Sequence, residues 1–157
     1  MAIKLVIGGC TLNMCSVYAP QVGLDGEEKK QEFQWSHRGS TGGYGDVHGG
    51  YGFGERNDEG VALLDFARAF GLVVVNLSFP KKEDHLVTFR SAIAKMQIDF
   101  LLLRKGDRVL CKDCKVIPSE NISTQHRLLV IDLGLKKDRK RKGGEGCPRI
   151  KWGLDSS

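Results

Sequence analysis

No stretch of this chain is long and apolar enough to cross a membrane. Its N-terminus has no basic segment leading into an apolar core and a small-residue cleavage site. The expectation is therefore a protein with no membrane partner, intracellular (nuclear or cytoplasmic) and not secreted. Cysteines number only five, an odd count that argues against a disulfide framework and fits a reducing compartment. Cys111-Lys112-Asp113-Cys114 has zinc-like spacing, but no second pair follows at finger or ribbon distance. Cys10 and Cys15 fall on opposite faces of a strand, so two ordinary cysteines near a strand end is the preferred reading of 111 and 114.

Net charge is absent from most of the chain. The net charge is +5, but Lys136, Lys137, Arg139, Lys140, Arg141 and Lys142 form a run broken only by Asp138. Outside that run, 18 of the 24 basic residues face 18 of the 19 acidic ones, so the body is neutral. The run can release counterions from phosphates or act as a nuclear import signal. A solvated, disordered segment is at least as good a reading. The expected organisation is one domain over residues 1–135 and a basic, disordered tail over 136–157, in a chain of 157 residues with 41% hydrophobic content.

Glycine is in excess, with 20 residues. Many fall in a stretch from Gly39 to Gly54 that echoes itself as Gly42-Gly43-Tyr44-Gly45 and Gly49-Gly50-Tyr51-Gly52. It reads as a surface loop, and its spacing matches neither a Rossmann nor a P-loop pattern. Before it, Ala2–Ile7 and Cys10–Ala19 read as a hairpin turned at Gly8-Gly9, and Gly26–Trp35 has helical composition. After it, Gly60–Phe70 reads as a helix with Leu63, Phe66, Ala67 and Phe70 on its apolar face. Asn57 or Asp58 is expected to cap it and Gly71 to end it. Leu72–Asn76, His85–Arg90, Met96–Leu103, a short edge from Arg108 to Cys111, and Gln125–Leu133 follow as strands. The pattern predicts an α/β or α+β layered sandwich rather than a doubly wound parallel sheet.

Two segments carry candidate chemistry. Gln97-Ile98-Asp99-Phe100-Leu101-Leu102-Leu103 and Ser123-Thr124-Gln125-His126-Arg127-Leu128-Leu129-Val130 each place one ionisable residue at the mouth of an apolar strand. A carboxylate beside an imidazole fixes its tautomer and supports the imidazolium, a common way to build a general base. His37, His48 and His85 have no partners at ligand spacing and read as exposed loop histidines. By spacing alone Tyr18 is a core or rim aromatic.

Taken in order, several segments resemble the endonuclease/exonuclease/phosphatase superfamily. They are Val17-Tyr18-Ala19-Pro20-Gln21, Arg56-Asn57-Asp58-Glu59-Gly60 with Leu64-Asp65-Phe66-Ala67, Val75-Asn76 with Phe79, Val87-Thr88-Phe89, Gln97-Ile98-Asp99-Phe100-Leu101-Leu102, and Thr124-Gln125-His126-Arg127-Leu128. The nearest resemblance is to the apurinic-type endonuclease domain of LINE-like retrotransposons and its craniofacial development protein 2-like relatives. Arg149-Ile150-Lys151-Trp152 resembles the segment that follows this domain.

The resemblance implies a DNase I-like two-sheet sandwich with outer helices and a Mg²⁺-dependent phosphodiesterase site at one sheet edge, with DNA as partner and no small-molecule cofactor. It makes His126 the catalytic histidine, Asp99 its orienting aspartate and Tyr18 the phosphate-side tyrosine. Asn57 would lie in a loop that approaches DNA, with Asn76 and Thr88 supporting substrate binding.

Departures from the pattern shape the functional expectation. The family's early asparagine and metal-binding glutamate have no match here, nor does its Gly-Asp-Phe-Asn strand. Gly45-Asp46-Val47-His48 imitates that motif without an apolar strand before it, so Asp46 reads as a loop aspartate. Gln125 stands where an aspartate usually precedes the histidine, which removes an anionic oxygen from a site for a hard cation. The expectation is an incomplete sandwich: the remnant of a Mg²⁺-dependent DNA endonuclease of retrotransposon type, with little or no activity and no assigned metal ligand. The alternative is a non-catalytic nucleic-acid-binding or scaffold protein that uses the basic tail.

Overall fold

The computed structural model describes residues 1–7, 9–19, 43–53, 56 and 58–135. The expected helix over 26–35, His37, Asn57, the basic run and the 149–152 segment lie outside the described residues. Strands β1 (Ala2–Ile7) and β2 (Cys10–Tyr18) form the expected hairpin. Helix α1 (Asp58–Ala69) follows, then β3 (Leu72–Val74), the short β4 (Phe89–Arg90) and β5 (Lys95–Met96), β6 (Asp99–Arg104), β7 (Cys111–Asn121) and β8 (Arg127–Leu133). The result is a mixed α+β chain of small antiparallel sheets. A four-stranded sheet runs β1-β2-β6-β3, and β4-β5 and β7-β8 each pair alone.

Strand β6 explains why the layers form. It reads Asp99-Phe100-Leu101-Leu102-Leu103-Arg104, apolar on both faces, and side chains alternate across a sheet. Phe100 and Leu102 join Leu63, Leu64, Ala67 and Val74 in one buried cluster, against which Cys15 and Val17 pack. Leu103 joins Leu12, Val73, Cys111 and Cys114 in a second, packed by Leu5, Met14, Leu101, Leu129, Ile131 and Leu133. Helix α1 therefore covers one face of the sheet and the β7-β8 hairpin the other.

Several elements depart from the sequence reading. The buried face of α1 is Gly60, Leu63, Leu64 and Ala67; Phe66 and Phe70 are exposed and stack on each other at 4.7 Å. Asp58 lies in the first turn of the helix rather than capping it. Gly71 ends the helix with φ +61°, as expected. The strand from Leu72 stops at Val74 and tightens into a 3₁₀ turn over Val75–Leu77. Arg108 to Leu110 belongs to a 3₁₀ turn, Lys105–Leu110, and the long strand β7 begins at Cys111. Its charged residues and Pro118 hide it in sequence; the register shift between Ile117 and Asn121 accommodates the proline, and another between Cys111 and Asp113 turns Cys111 and Cys114 into the same cluster.

The glycine-rich stretch is more than a surface loop over its described part. Val47 is wholly buried and its carbonyl accepts from Val74 N at 2.9 Å, while Gly49 N and Tyr51 N both donate to Leu77 O. The loop thus lines the edge of β3. A Cβ on Gly49 would come within 3.0 Å of Ser78 backbone atoms, so glycine permits the approach. His48 is buried here, with Nδ1 accepting from Gly50 N at 2.9 Å, and His85 is half-buried against Val116 O at 3.0 Å. The exposed-loop reading fails for both, because the segments that carry them pack against strands.

Candidate active site

Asp99 opens β6, and its position follows from what happens at the end of β3. On β6 the odd residues turn their backbone groups away from β2, toward the line that β3 abandons at Val74. Asn76, almost fully buried in the 3₁₀ turn, fills the gap. Its Oδ1 accepts from Leu101 N at 3.1 Å and its Nδ2 donates to Asp99 O at 3.0 Å, so one side-chain amide replaces a strand neighbour.

Thr88 ties this strand to the other half of the site. Its buried hydroxyl accepts from Ile98 N at 3.0 Å and Asp99 N at 3.1 Å. Its carbonyl accepts from Arg127 N at 2.8 Å, and Arg90 N donates to Gln125 O at 2.9 Å. The backbone of Phe89 bridges that of His126, which brings the start of β8 alongside β4.

That arrangement brings Asp99 and His126 together across 27 positions of sequence, with Nδ1 2.9 Å from Oδ2. Both side chains are about one-third exposed, at 33% for the imidazole and 28% for the carboxylate. A carboxylate only accepts, so Nδ1 is the donor of this bond; in a neutral imidazole that leaves Nε2 as the lone-pair nitrogen. The Phe89 ring meets the imidazole edge-on at 5.3 Å, and the exposed Tyr18 ring lies 6.1 Å away at a tilt of 51°.

Of the six residues picked from sequence, the structure brings Asp99, His126 and Tyr18 to one place. Asn76 and Thr88 lie beneath it, buried and bonded to the backbone of β6 rather than facing solvent; Asn57 is outside the described residues. Phe89 was part of a matching segment but had no role; its signal was the apolar run Val87-Thr88-Phe89 that brings it beside His126.

Among the described residues no group of three or more His, Cys, Asp or Glu side chains converges as a metal site. Asp46 is committed elsewhere: Oδ1 pairs with Arg68 and Oδ2 with Lys105, both at 2.8 Å. Hydrogen bonds from Arg68 and then Lys105 hold its carboxyl far below the usual carboxylate range. Asp46 sits in a loop turn, as expected, and acts as a clamp between that loop, α1 and the turn after β6.

The chain is 29% identical over 92 residues to craniofacial development protein 2 of Tragulus javanicus, covering 57% of this chain and 16% of that protein. The protein of the same name from Bos taurus is 28% identical over 92 residues, with the same coverage. The match thus spans about one-sixth of the length of these relatives. No protein-family profile matches the chain, and no solved structure does.

Proposed function

We propose that this stretch carries the imidazole-bearing half of a phosphodiesterase site of the endonuclease/exonuclease/phosphatase type, in the retrotransposon-endonuclease branch. The observation that carries the reading is the 2.9 Å bond between Asp99 and His126 at the mouth of the central sheet, with Tyr18 beside it. The ordered set of resembling segments and the similarity to craniofacial development protein 2 support it. In this reading the β7-β8 hairpin is part of the second sheet of a DNase I-like sandwich.

In this site Asp99 holds the imidazole with Nε2 directed to a phosphodiester, where it takes a proton or, once protonated, stabilises developing negative charge. The Tyr18 phenol supplies a second donor on the phosphate side. The family's metal-binding glutamate and Gly-Asp-Phe-Asn strand have no match in the sequence, and no step is assigned to a metal. Loss of any one of several cooperating groups costs orders of magnitude in rate, and the expected activity is accordingly little or none. The partner is DNA.

Two measurements on the purified chain test this. Addition of duplex DNA should move the NMR resonances of the His126 and Tyr18 rings, and unmoved rings at saturating duplex would sink the phosphodiester reading. Plasmid nicking with Mg²⁺ should not exceed that of His126→Ala; metal-dependent nicking that the substitution abolishes overturns the low-activity part. The basic run favours a second reading, binding through the tail alone. In that case deletion of residues 136–142 removes all DNA binding and leaves the rings unmoved from the outset.

A further inference from the structure

The strand β1 is anomalous. Five of its six residues are apolar and only Leu5 is even half-buried; Val6 is 66% exposed, Ile7 47% and Ile3 36%. It sits at the edge of the four-stranded sheet with β2 as its single strand neighbour among the described residues. An exposed, apolar edge strand is a template for another strand. Lys4 is the single charge that guards it.

The hydrogen-bond phase of that edge follows from Met1, the residue before β1. Met1 N donates to Ser16 O at 2.7 Å and Ser16 N donates to Met1 O at 2.8 Å, so these two form a bonded pair. In an antiparallel ladder bonded and non-bonded pairs alternate. With the register Ala2↔Cys15 to Ile7↔Cys10, Ile3, Leu5 and Ile7 therefore bond to β2, and Ala2, Lys4 and Val6 turn their N–H and C=O groups outward.

We propose that β1 is a dimerisation edge, pairing antiparallel with β1 of a second copy of this chain about a two-fold axis at Leu5. The outward phase allows few self-pairings. A two-fold at Lys4 sets Lys4 against Lys4, which like-charge repulsion disfavours. A two-fold at Ile3 leaves most of Val6 and Ile7 uncovered.

The two-fold at Leu5 sets Lys4 against Val6, Leu5 against Leu5 and Ile3 against Ile7. It makes two bonded Lys4–Val6 pairs and no Lys–Lys contact. Ile3, Leu5 and Ile7 lie on the sheet face where Leu5 already packs against the second buried cluster, so the pairing extends that apolar face across the axis. A single pair of six-residue strands is a small interface, and the expected dissociation constant is on the order of 10–100 µM.

Sedimentation equilibrium of the full chain over micromolar to millimolar concentration tests the proposal. The expected result is a closed monomer–dimer equilibrium between 17.4 kDa and twice that mass. Val6→Pro removes one outward N–H and none of the bonds to β2, and should give a monomer with an unchanged circular dichroism spectrum. Val6→Glu, set against Lys4 of the second copy, should tighten the dimer, and Val6→Lys should loosen it, each by roughly tenfold.

The swap Lys4→Glu with Val6→Lys should restore it. Equal weakening by Val6→Glu and Val6→Lys overturns this register. A chain that stays monomeric throughout overturns the proposal, as does an open series of aggregates. So does a monomer whose Lys4 and Val6 amides are already protected from hydrogen exchange by another segment of the chain.

Discussion

Asp99 and His126 meet at 2.9 Å through Oδ2 and Nδ1, although β6, which Asp99 opens, and β8, which follows His126, do not pair. The contact exists because Thr88 bonds to both carriers: its hydroxyl holds Asp99 N and its carbonyl holds Arg127 N. A fully buried threonine just before a short hairpin thus sets the geometry of a pair about one-third exposed.

The tautomer of His126 should depend on that carboxylate. Long-range nitrogen–proton NMR should find the proton on Nδ1 in the native chain and a mixture, or the Nε2 tautomer, in Asp99→Asn. The pair is partly solvated, so the substitution should cost no more than about 1 kcal/mol of stability. An unchanged tautomer in Asp99→Asn would show that the ring is held by its aromatic neighbours instead.

Asn76 should matter far more to stability than Asp99. Asn76→Ala leaves Leu101 N and Asp99 O without partners in a buried setting, at a cost of about 2–4 kcal/mol. That is a large share of the roughly 5–15 kcal/mol typical of a domain. Urea unfolding should show this loss, with Asn76→Asp at least as severe, because an acceptor would then face the Asp99 carbonyl. A loss below about 0.5 kcal/mol would mean that another group can replace the missing strand.

How much of this was legible in sequence depends on whether the signal was local. The hairpin β1-β2, helix α1 with its left-handed Gly71, and the apolar strand β6 all have a period of their own and were readable. The face of α1 was misjudged because Phe66 and Phe70 are the bulkiest apolar residues, yet Leu63, Leu64 and Ala67 are the ones that reach the sheet. Strand β7 was missed because Lys112, Asp113, Lys115 and Pro118 break its alternation, and a partner strand supplies its regularity. The resemblance gives Asn76 a role at the site, but nothing local says that its amide stands in for a strand. That follows only once β3 is seen to stop at Val74.

Asp46 should stabilise the fold in a way that acid removes. Its folded-state pKa is depressed by Arg68 and Lys105, so its contribution is complete above the ordinary carboxylate range and is lost as pH falls below it. Thermal melts of the native chain and Asp46→Asn should differ at pH 6 in low salt and converge in strong acid. The ion pairs are exposed, so about 1 M salt should also close most of the gap. A difference that persists in both conditions would point to packing of the loop rather than charge.

Cys114 provides the opposite case at high pH. Burial in the cluster beneath β7 pushes its thiol up to about 12, and burial raises Cys111 as well. An unfolded cysteine loses its proton near pH 8.5, at roughly the ordinary thiol value. Between about 8.5 and about 12, then, the unfolded chain releases a proton that the folded chain retains, and stability falls as pH rises through that window.

The denaturation midpoint of the native chain should therefore drop more steeply above pH 9 than that of Cys114→Ala, which at neutral pH should itself be less stable by about 1–2 kcal/mol. Alkylation at about pH 8 should label the half-buried Cys10 and Cys15 well before either buried thiol, since only the thiolate reacts and burial suppresses it. Equal labelling of Cys114 and Cys15 in the folded chain would show that the β7-β8 hairpin opens from the sheet on the timescale of the reaction, and the second cluster would then be a loose one.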